Sequence, residues 1–412
     1  MHVTPSAAPR PTSLIRAAGL SYFPIALVAR LPFAMVVVGL LTLVVSARDS
    51  LALGGVTAAV TGLGTAMFGP LLGAAADRFG QRRVLLCAGL ANSVLLVAIA
   101  WLAFAPVPDA AVLAAGFLIG ASTPQVAPLS RSRLVGIIAR AVDPARRDAV
   151  VSGTMAYESA ADEIVFVFGP VIVGVLAATL DPVAPVLGAA ALAVIFVSAF
   201  ALHPSARVEP GVRDGAPSPA PVRELTRVAA PVVGALGMGL FFGTMLTSLT
   251  SFMADRGIAE QAGVVYGAMG LGSAALALGV AAFPARFTLG ARWIVFAAIL
   301  VAGTLVLPFV TSVVAMTLTL LVIGVGIGPT LVTQYSLAAH RSPLGRSSTV
   351  MTMLGSGIVV GQSASTAVAG IVAEYLGTDA ALTLPFLAAA IVLLAGVVDA
   401  LVRPRRQVRF GN

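Results

Sequence analysis

The sequence predicts an all-α membrane protein with twelve transmembrane helices in two pseudo-symmetric six-helix bundles. Three observations support this. Hydrophobic residues make up 58% of the 412 and charged residues only 10%, less charge than a soluble domain of this size carries. A spanning helix takes roughly 20 apolar residues, so the chain with its loops holds about twelve. Second, the arginine-rich turn Gly73-Ala-Ala-Ala-Asp77-Arg78-Phe-Gly80-Gln-Arg82-Arg83 lies between two apolar runs, as a hairpin loop between spans does. Third, a faded copy of this stretch returns 208 residues later, so the chain reads as two similar halves.

Residues 1–18 form a Pro- and Ala-rich tail carrying Arg10 and Arg16. The first apolar run follows without a convincing cleavage site and is read as a retained span, not a signal peptide. Apolar runs near 19–46, 52–76, 84–105, 110–130, 149–178 and 183–202 give the first bundle, 19–202. Residues 203–227 hold five Pro and both charge signs, the composition of a solvated linker. Runs near 228–253, 261–285, 292–310, 312–338, 346–373 and 380–402 give the second bundle, 228–402, and 403–412 is a basic tail.

Twelve spans put both termini on one side. With the termini in the cytoplasm, the tails, the linker and the loops on that side take 22 of the 25 basic residues, all of them Arg. The stretch from Arg131 to Arg147 is counted as one of those loops. The outer loops take only Arg48 and Arg256, whereas Asp49, Asp109, Asp181, Asp255, Glu260 and Asp379 fall outside. This bias predicts cytoplasmic termini in a bacterial inner membrane. It also accounts for the net charge of +8 without nucleic acid as a partner.

At the fixed offset of 208, Gly62-Leu63-Gly64 matches Gly270-Leu271-Gly272, and Arg78-Phe79 matches Arg286-Phe287. Gly116, Ile119 and Gly120 match Gly324, Ile327 and Gly328. A direct six-span repeat is the design with a pseudo-twofold along the membrane normal. On the loop at Gly73 to Arg83, and over nearly its full length, the chain resembles the major facilitator superfamily. In the fifth run, Phe168-Gly169-Pro170-Val-Ile-Val-Gly174 partly resembles the antiporter motif of the twelve-span drug:proton exporters. Val165 stands where the motif has its first Gly, and Val173-Gly174 where it has a Gly pair. Gly169 and Pro170 also read as a plain helix kink.

The resemblance implies a gating role for Gly73, Asp77, Arg78, Gly80, Arg82 and Arg83. In the family the Asp lies near the N-terminus of the eleventh span, here near Gly345-Arg346-Ser347. An anion at a helix N-terminus gains about 0.3–1 kcal/mol, more when partly buried. Such a contact exists only while the cytoplasmic side is shut. The second-half copy has Ala285 in place of the Asp, so the latch is expected to be asymmetric. Gly73 and Gly80 allow close approach and turning, and Arg82 and Arg83 also read as headgroup anchors.

Charges inside the apolar runs point to function. Arg30 lies roughly 15 Å into the first run at about 1.5 Å per residue. Glu158, Asp162 and Glu163 lie at similar or greater depth in the fifth. Each charge near the bilayer centre costs about 2.5–3.5 kcal/mol on insertion scales, so these groups must pair, protonate or line a wet cavity. Glu158 and Asp162 share one helix face, and either can pair with Arg30, while Glu163 points roughly 100° from Asp162. Three carboxyls against one guanidinium leave at least one expected to hold a proton. A structural pair that fixes helix register and a proton or substrate site are both open readings.

Gln125, Tyr157, Gln334, Tyr335 and Gln362 are polar groups in apolar runs: cavity liners, or partners of a neighbouring helix. Gly120-x-x-x-Pro124-Gln125 and Gly328-Pro329 are kinks at matched positions, which point to the cavity. Trp101 and Trp293 read as interfacial anchors, Cys87 as an inert core residue, and His2, His203 and His340 as solvated. Glu374 and Asp399 read as reaching an interface. Without Lys there is no Gly-x-x-x-x-Gly-Lys-Ser/Thr phosphate loop. No metal-ligand cluster is evident, so no cofactor, metal or enzyme activity is expected.

The expected function is a proton-coupled secondary transporter working by alternating access and exporting a small amphipathic or drug-like solute. One alternative is a proton-linked importer of a sugar, organic acid or other metabolite. Another is a non-transport membrane partner of an envelope-synthesis complex. Membrane lipid, a small-molecule substrate and protons are the expected partners of a monomer.

Overall fold

The computed structural model describes residues 13–208, 220–258, 261–284 and 286–402. Every regular element among them is helical. Twelve helices are long and apolar enough to cross a membrane. Spans 1 to 6 are Tyr22–Arg48, Leu53–Phe79, Gln81–Leu102, Asp109–Ala141, Pro144–Thr179 and Ala184–Leu202. Spans 7 to 12 are Val222–Ala254, Ala262–Gly279, Leu289–Phe309, Val313–Arg341, Ser347–Leu376 and Thr378–Val402. The tails 1–12 and 403–412, the linker stretch 209–219, Glu260 and Ala285 lie outside the described residues.

Two spans are broken where proline dictates it. Span 1 changes helix at Ala29 and Arg30, just before Pro32. Span 4 breaks between Ser122 and Val126 around Pro124, whose ring disfavours helical geometry at Thr123. The matched span 10 runs unbroken through Pro329, and span 5 through Pro170. Neighbouring turns therefore absorb those two prolines without ending the helix.

The repeated glycines are crossing points. A Cβ at Gly64 or Gly120 would overlap the backbone of span 4 or span 2, and one at Gly272 or Gly328 would overlap span 10 or span 8. Spans 2 and 4 thus cross as spans 8 and 10 do. The halves meet through span 2 against span 11, span 5 against spans 8 and 10, and the second helix of span 4 against span 11. At the arginine-rich end, Ile138, Met155, Ala235, Tyr335 and Met351 close one apolar cluster that draws on both halves. The linker's far end is tied there too: Ala220 N–H donates to Leu344 O at 3.0 Å, and Arg346 Nε donates to Ala220 O at 3.0 Å.

Several side chains sit elsewhere than the sequence implies. Arg131 and Arg133 are not in a loop. They lie in the second helix of span 4, 2% and 4% exposed, because ion pairs and rings inside the protein replace water around them. Trp293 is no interfacial anchor. It is fully buried between Gly234 and Gly396, which leave room for its ring. Trp101 is exposed. Cys87 is exposed rather than packed in a core. Asp399 is buried in a bidentate pair with Arg341 at 2.5 and 2.7 Å. His203 is buried between Ser21 and Ser205, and both burial and Arg133 lower its pKa.

Candidate functional site

The break in span 1 places Arg30, 3% exposed, against span 5. Its Nη2 lies 2.5 Å from Glu158 Oε2 and its Nη1 3.3 Å from Asp162 Oδ1. The other oxygen of Glu158 accepts from Ser130 Oγ at 2.9 Å. With that proton committed, Tyr22 hydroxyl donates to Ser130 Oγ at 2.7 Å. Both oxygens of Glu158 are therefore satisfied in a fully buried place, as a buried charge requires.

Asp162 is shared. Its second oxygen takes Arg131 Nη2 at 2.6 Å. The same guanidinium lies over the ring of Tyr335, 4.1 Å from its centre. Tyr335 belongs to span 10, so the chain Glu158–Arg30–Asp162–Arg131–Tyr335 runs from the first half into the second. Arg131 escaped the sequence reading because the apolar run stops at 130. The available signal was Leu134, Ile137 and Ile138, which resume an apolar helical spacing beyond it.

Glu163 faces the other half directly. Ser273 hydroxyl on span 8 donates to its Oε1, while Oε2 is buried with no hydrogen-bond partner. No cation is paired with Glu163 among the described residues. Arg30 Nε and Arg131 Nε are also buried and unpartnered. The membrane interior thus holds three carboxyls and two guanidiniums in this cluster, with two spare donors and one spare acceptor.

The other polar candidates are dispersed. Gln125, at the break in span 4, donates to Thr123 O at 3.1 Å. Tyr157 meets the Phe23 ring edge-on at 5.4 Å. Gln362 on span 11 is half-buried. Gln334 is fully buried beside Gly234 in the second half, its amide without a partner. Tyr335 alone of the five meets a charged member of the network among the described contacts. Gly169 lies where span 5 touches Ala34 of span 1 too closely for a Cβ.

A second cluster sits at the arginine-rich end. Asp77 Oδ1 accepts from Ser348 N–H at 2.9 Å, and Oδ2 accepts from Thr349 N–H at 2.7 Å and Thr349 Oγ1 at 2.6 Å. The helix Ser347–Leu376 has no side-chain cap of its own at Arg346, so Asp77 of the other half supplies it. A Cβ at Gly73 would overlap Thr352 Oγ1, and Gly80 turns the chain at φ +88°, a conformation that favours glycine. Ser132 Oγ lies 3.1 Å from Ser348 Oγ, and Arg133 Nε donates to Gln81 Oε1 at 3.0 Å. Arg78, Arg82 and Arg83 are exposed.

The sequence model of the Major Facilitator Superfamily matches residues 22–365. The chain belongs to that superfamily. No curated protein matches the sequence. Among solved structures, the human organic anion transporter MFSD10 (TETRAN) is 20% identical with a TM-score of 0.71, covering 94% of this chain and 100% of that one. A bacterial homologue of the iron transporter ferroportin in the outward-facing state is 14% identical with a TM-score of 0.72, covering 96% and 100%. The fucose:proton symporter FucP of E. coli is 15% identical with a TM-score of 0.64, covering 92% and 99%. At these identities the likeness shows the major facilitator fold alone.

Proposed function

We propose that this superfamily member is a proton-coupled transporter working by alternating access, with Glu163 as its proton-carrying group. The charge count carries the reading. Arg30 and Arg131 neutralise Glu158 and Asp162, and no cation among the described residues neutralises Glu163. An uncompensated charge at this depth costs several kcal/mol, so Glu163 is a neutral acid while spans 5 and 8 are packed. Separation of those spans admits water, and the acid then releases its proton. Proton release is thereby tied to which side is open.

Closure is coupled to the same network. Arg131 joins Asp162 to Tyr335, and Asp77 holds the start of span 11. Both contacts are made with the arginine-rich end shut, and the arginine bias puts that end in the cytoplasm. The arrangement fits an outward-facing state. In this reading the halves are 19–202 and 228–402, joined by the linker 203–227, with tails 1–18 and 403–412 in the cytoplasm of a bacterial cell. The protein acts as a monomer.

The partial motif from Phe168 to Gly174 supports export of a small amphipathic or drug-like solute. The likeness to a fucose:proton symporter keeps proton-linked uptake of a metabolite as the second reading. Transport in proteoliposomes under an imposed pH gradient tests the proposal. Glu163→Gln should abolish gradient-driven flux while solute exchange without a gradient persists. Flux indifferent to the gradient in the native protein would exclude proton coupling.

A further inference from the structure

Two adjoining grooves at the arginine-rich end lie at the Asp77 contact and hold no group that the proposed proton transfer uses. The first, about 500 Å³, is lined by Ala75, Asp77, Arg78 and Phe79 at the end of span 2 and by Gly345 and Arg346 before span 11. The oxygens of Asp77 are occupied by Ser348 and Thr349. Arg78 is exposed and rests on the Phe79 ring at 5.1 Å, with no carboxylate partner among the described residues. Arg346 commits Nε to Ala220 O, and no other bond from its guanidinium is among the described contacts. Two arginines against one carboxylate already bonded to span 11 leave the cavity net positive, and roughly 300–1,000 Å³ is the size of a small-molecule site.

The second groove, about 480 Å³, shares Ala75 and Phe79 with the first and continues along Leu72, Val84 and Cys87. Its walls are apolar apart from Arg83, at the level of Phe79, and Ser122. Phe79 and Leu344 are 51% and 65% exposed, and Cys87 is exposed. Exposed apolar side chains beside arginines at a helix end mark the level where headgroups meet acyl chains.

We propose that these grooves bind one anionic phospholipid. Its phosphodiester lies between Arg78 and Arg346, and an acyl chain follows Leu72, Val84 and Cys87 past Phe79. Guanidinium groups suit phosphate through paired N–H donors, and an anionic leaflet concentrates such ligands at basic surfaces. The apolar continuation favours a lipid over free phosphate. Arg78 belongs to the first half and Arg346 to the second, so a bound headgroup bridges the halves. It does so only while Asp77 holds span 11, and the lipid thereby favours the state closed at this end.

The test uses the full-length protein in vesicles of phosphatidylcholine, with or without a minority of phosphatidylglycerol. Native mass spectrometry counts the lipids retained on extraction, and maleimide labelling of Cys87, the sole cysteine, reports groove occupancy. The native protein should retain phosphatidylglycerol over phosphatidylcholine by roughly tenfold, and phosphatidylglycerol should slow labelling. Arg78→Gln and Arg346→Gln should remove both effects, and Arg146→Gln, the same charge loss at an exposed arginine outside the grooves, should remove neither. If Arg346→Gln does not fold, Arg78→Gln decides alone. Equal retention of the two lipids, or an equal effect of Arg146→Gln, overturns the site. Protection of Cys87 by inorganic phosphate in lipid-free detergent overturns the lipid assignment.

Discussion

The two halves share a fold and divide the chemistry. At the repeat offset, Arg30, Arg131, Glu158, Asp162 and Glu163 correspond to Met238, Ala339, Thr366, Gly370 and Ile371. Every charge of the buried cluster belongs to the first half. The second half answers with neutral groups: Ser273 hydroxyl for Glu163, the Tyr335 ring for Arg131, and the backbone of Ser348 and Thr349 for Asp77. Breaking a buried ion pair costs about 3–5 kcal/mol, whereas a hydrogen bond to a charged group contributes about 1.5–3 kcal/mol. In the proposed alternating-access cycle, an interface built from charge-to-neutral contacts can separate. The strong pairs stay inside one half, where nothing needs to move.

The comparison breaks most severely if a charge is left alone inside the first half. Asp162→Asn strips Arg131 of its carboxylate and Arg30 of one of two. It should lower stability by about 3–5 kcal/mol, read by thermal unfolding in detergent. Met238→Arg would put a cation at the Arg30-equivalent position, which is fully buried, and should lose about 2.5–3.5 kcal/mol or fail to insert. If it folds normally, the second half tolerates an unpaired buried cation at this position and the division is not physical.

Contacts between halves should give smaller effects. Tyr335→Leu removes the ring under Arg131, worth about 2 kcal/mol when desolvated, and should raise labelling of cysteines placed in the arginine-rich closure. Tyr335→Phe should restore the native rate. Asp77→Asn keeps the shape of the cap and loses its charge, about 1–2 kcal/mol, with a correspondingly smaller rise in labelling.

The smallest effect is that of pH on His203. Its Nδ1 accepts the Ser205 N–H, so the ring is held neutral, and its folded pKa is below the ordinary 6.5. Below that value the unfolded chain binds the proton more readily than the folded one. Stability should therefore fall as pH drops below about 6.5, and His203→Gln should flatten the slope.

The order of spans, their number and the position of the repeat were legible because hydropathy is additive along the chain. Gly64, Gly120, Gly272 and Gly328 were legible as a repeat, but not as the crossings of spans 2 with 4 and 8 with 10. Arg30, Glu158 and Asp162 were legible as a cluster because isolated charges are improbable in lipid. Arg131 was not, since it adjoins Arg133, Arg140 and Arg146 and local composition reads them as one loop. Trp293 shows the same limit, as a span end carries no sign of whether its ring faces lipid or a neighbouring glycine.

By itself, then, the sequence determined what partition between water and lipid determines: twelve helices, two halves and an arginine-rich end. It also determined that several charges had to find partners. Tertiary structure decided which partners they found. Arg131 reaches Asp162 and Tyr335 across 31 and 204 positions of chain, and Asp77 reaches Thr349 across 272. Glu163 is left without a cation among the described residues. Pairing depends on which helix faces pack together, and no local property of the chain encodes that.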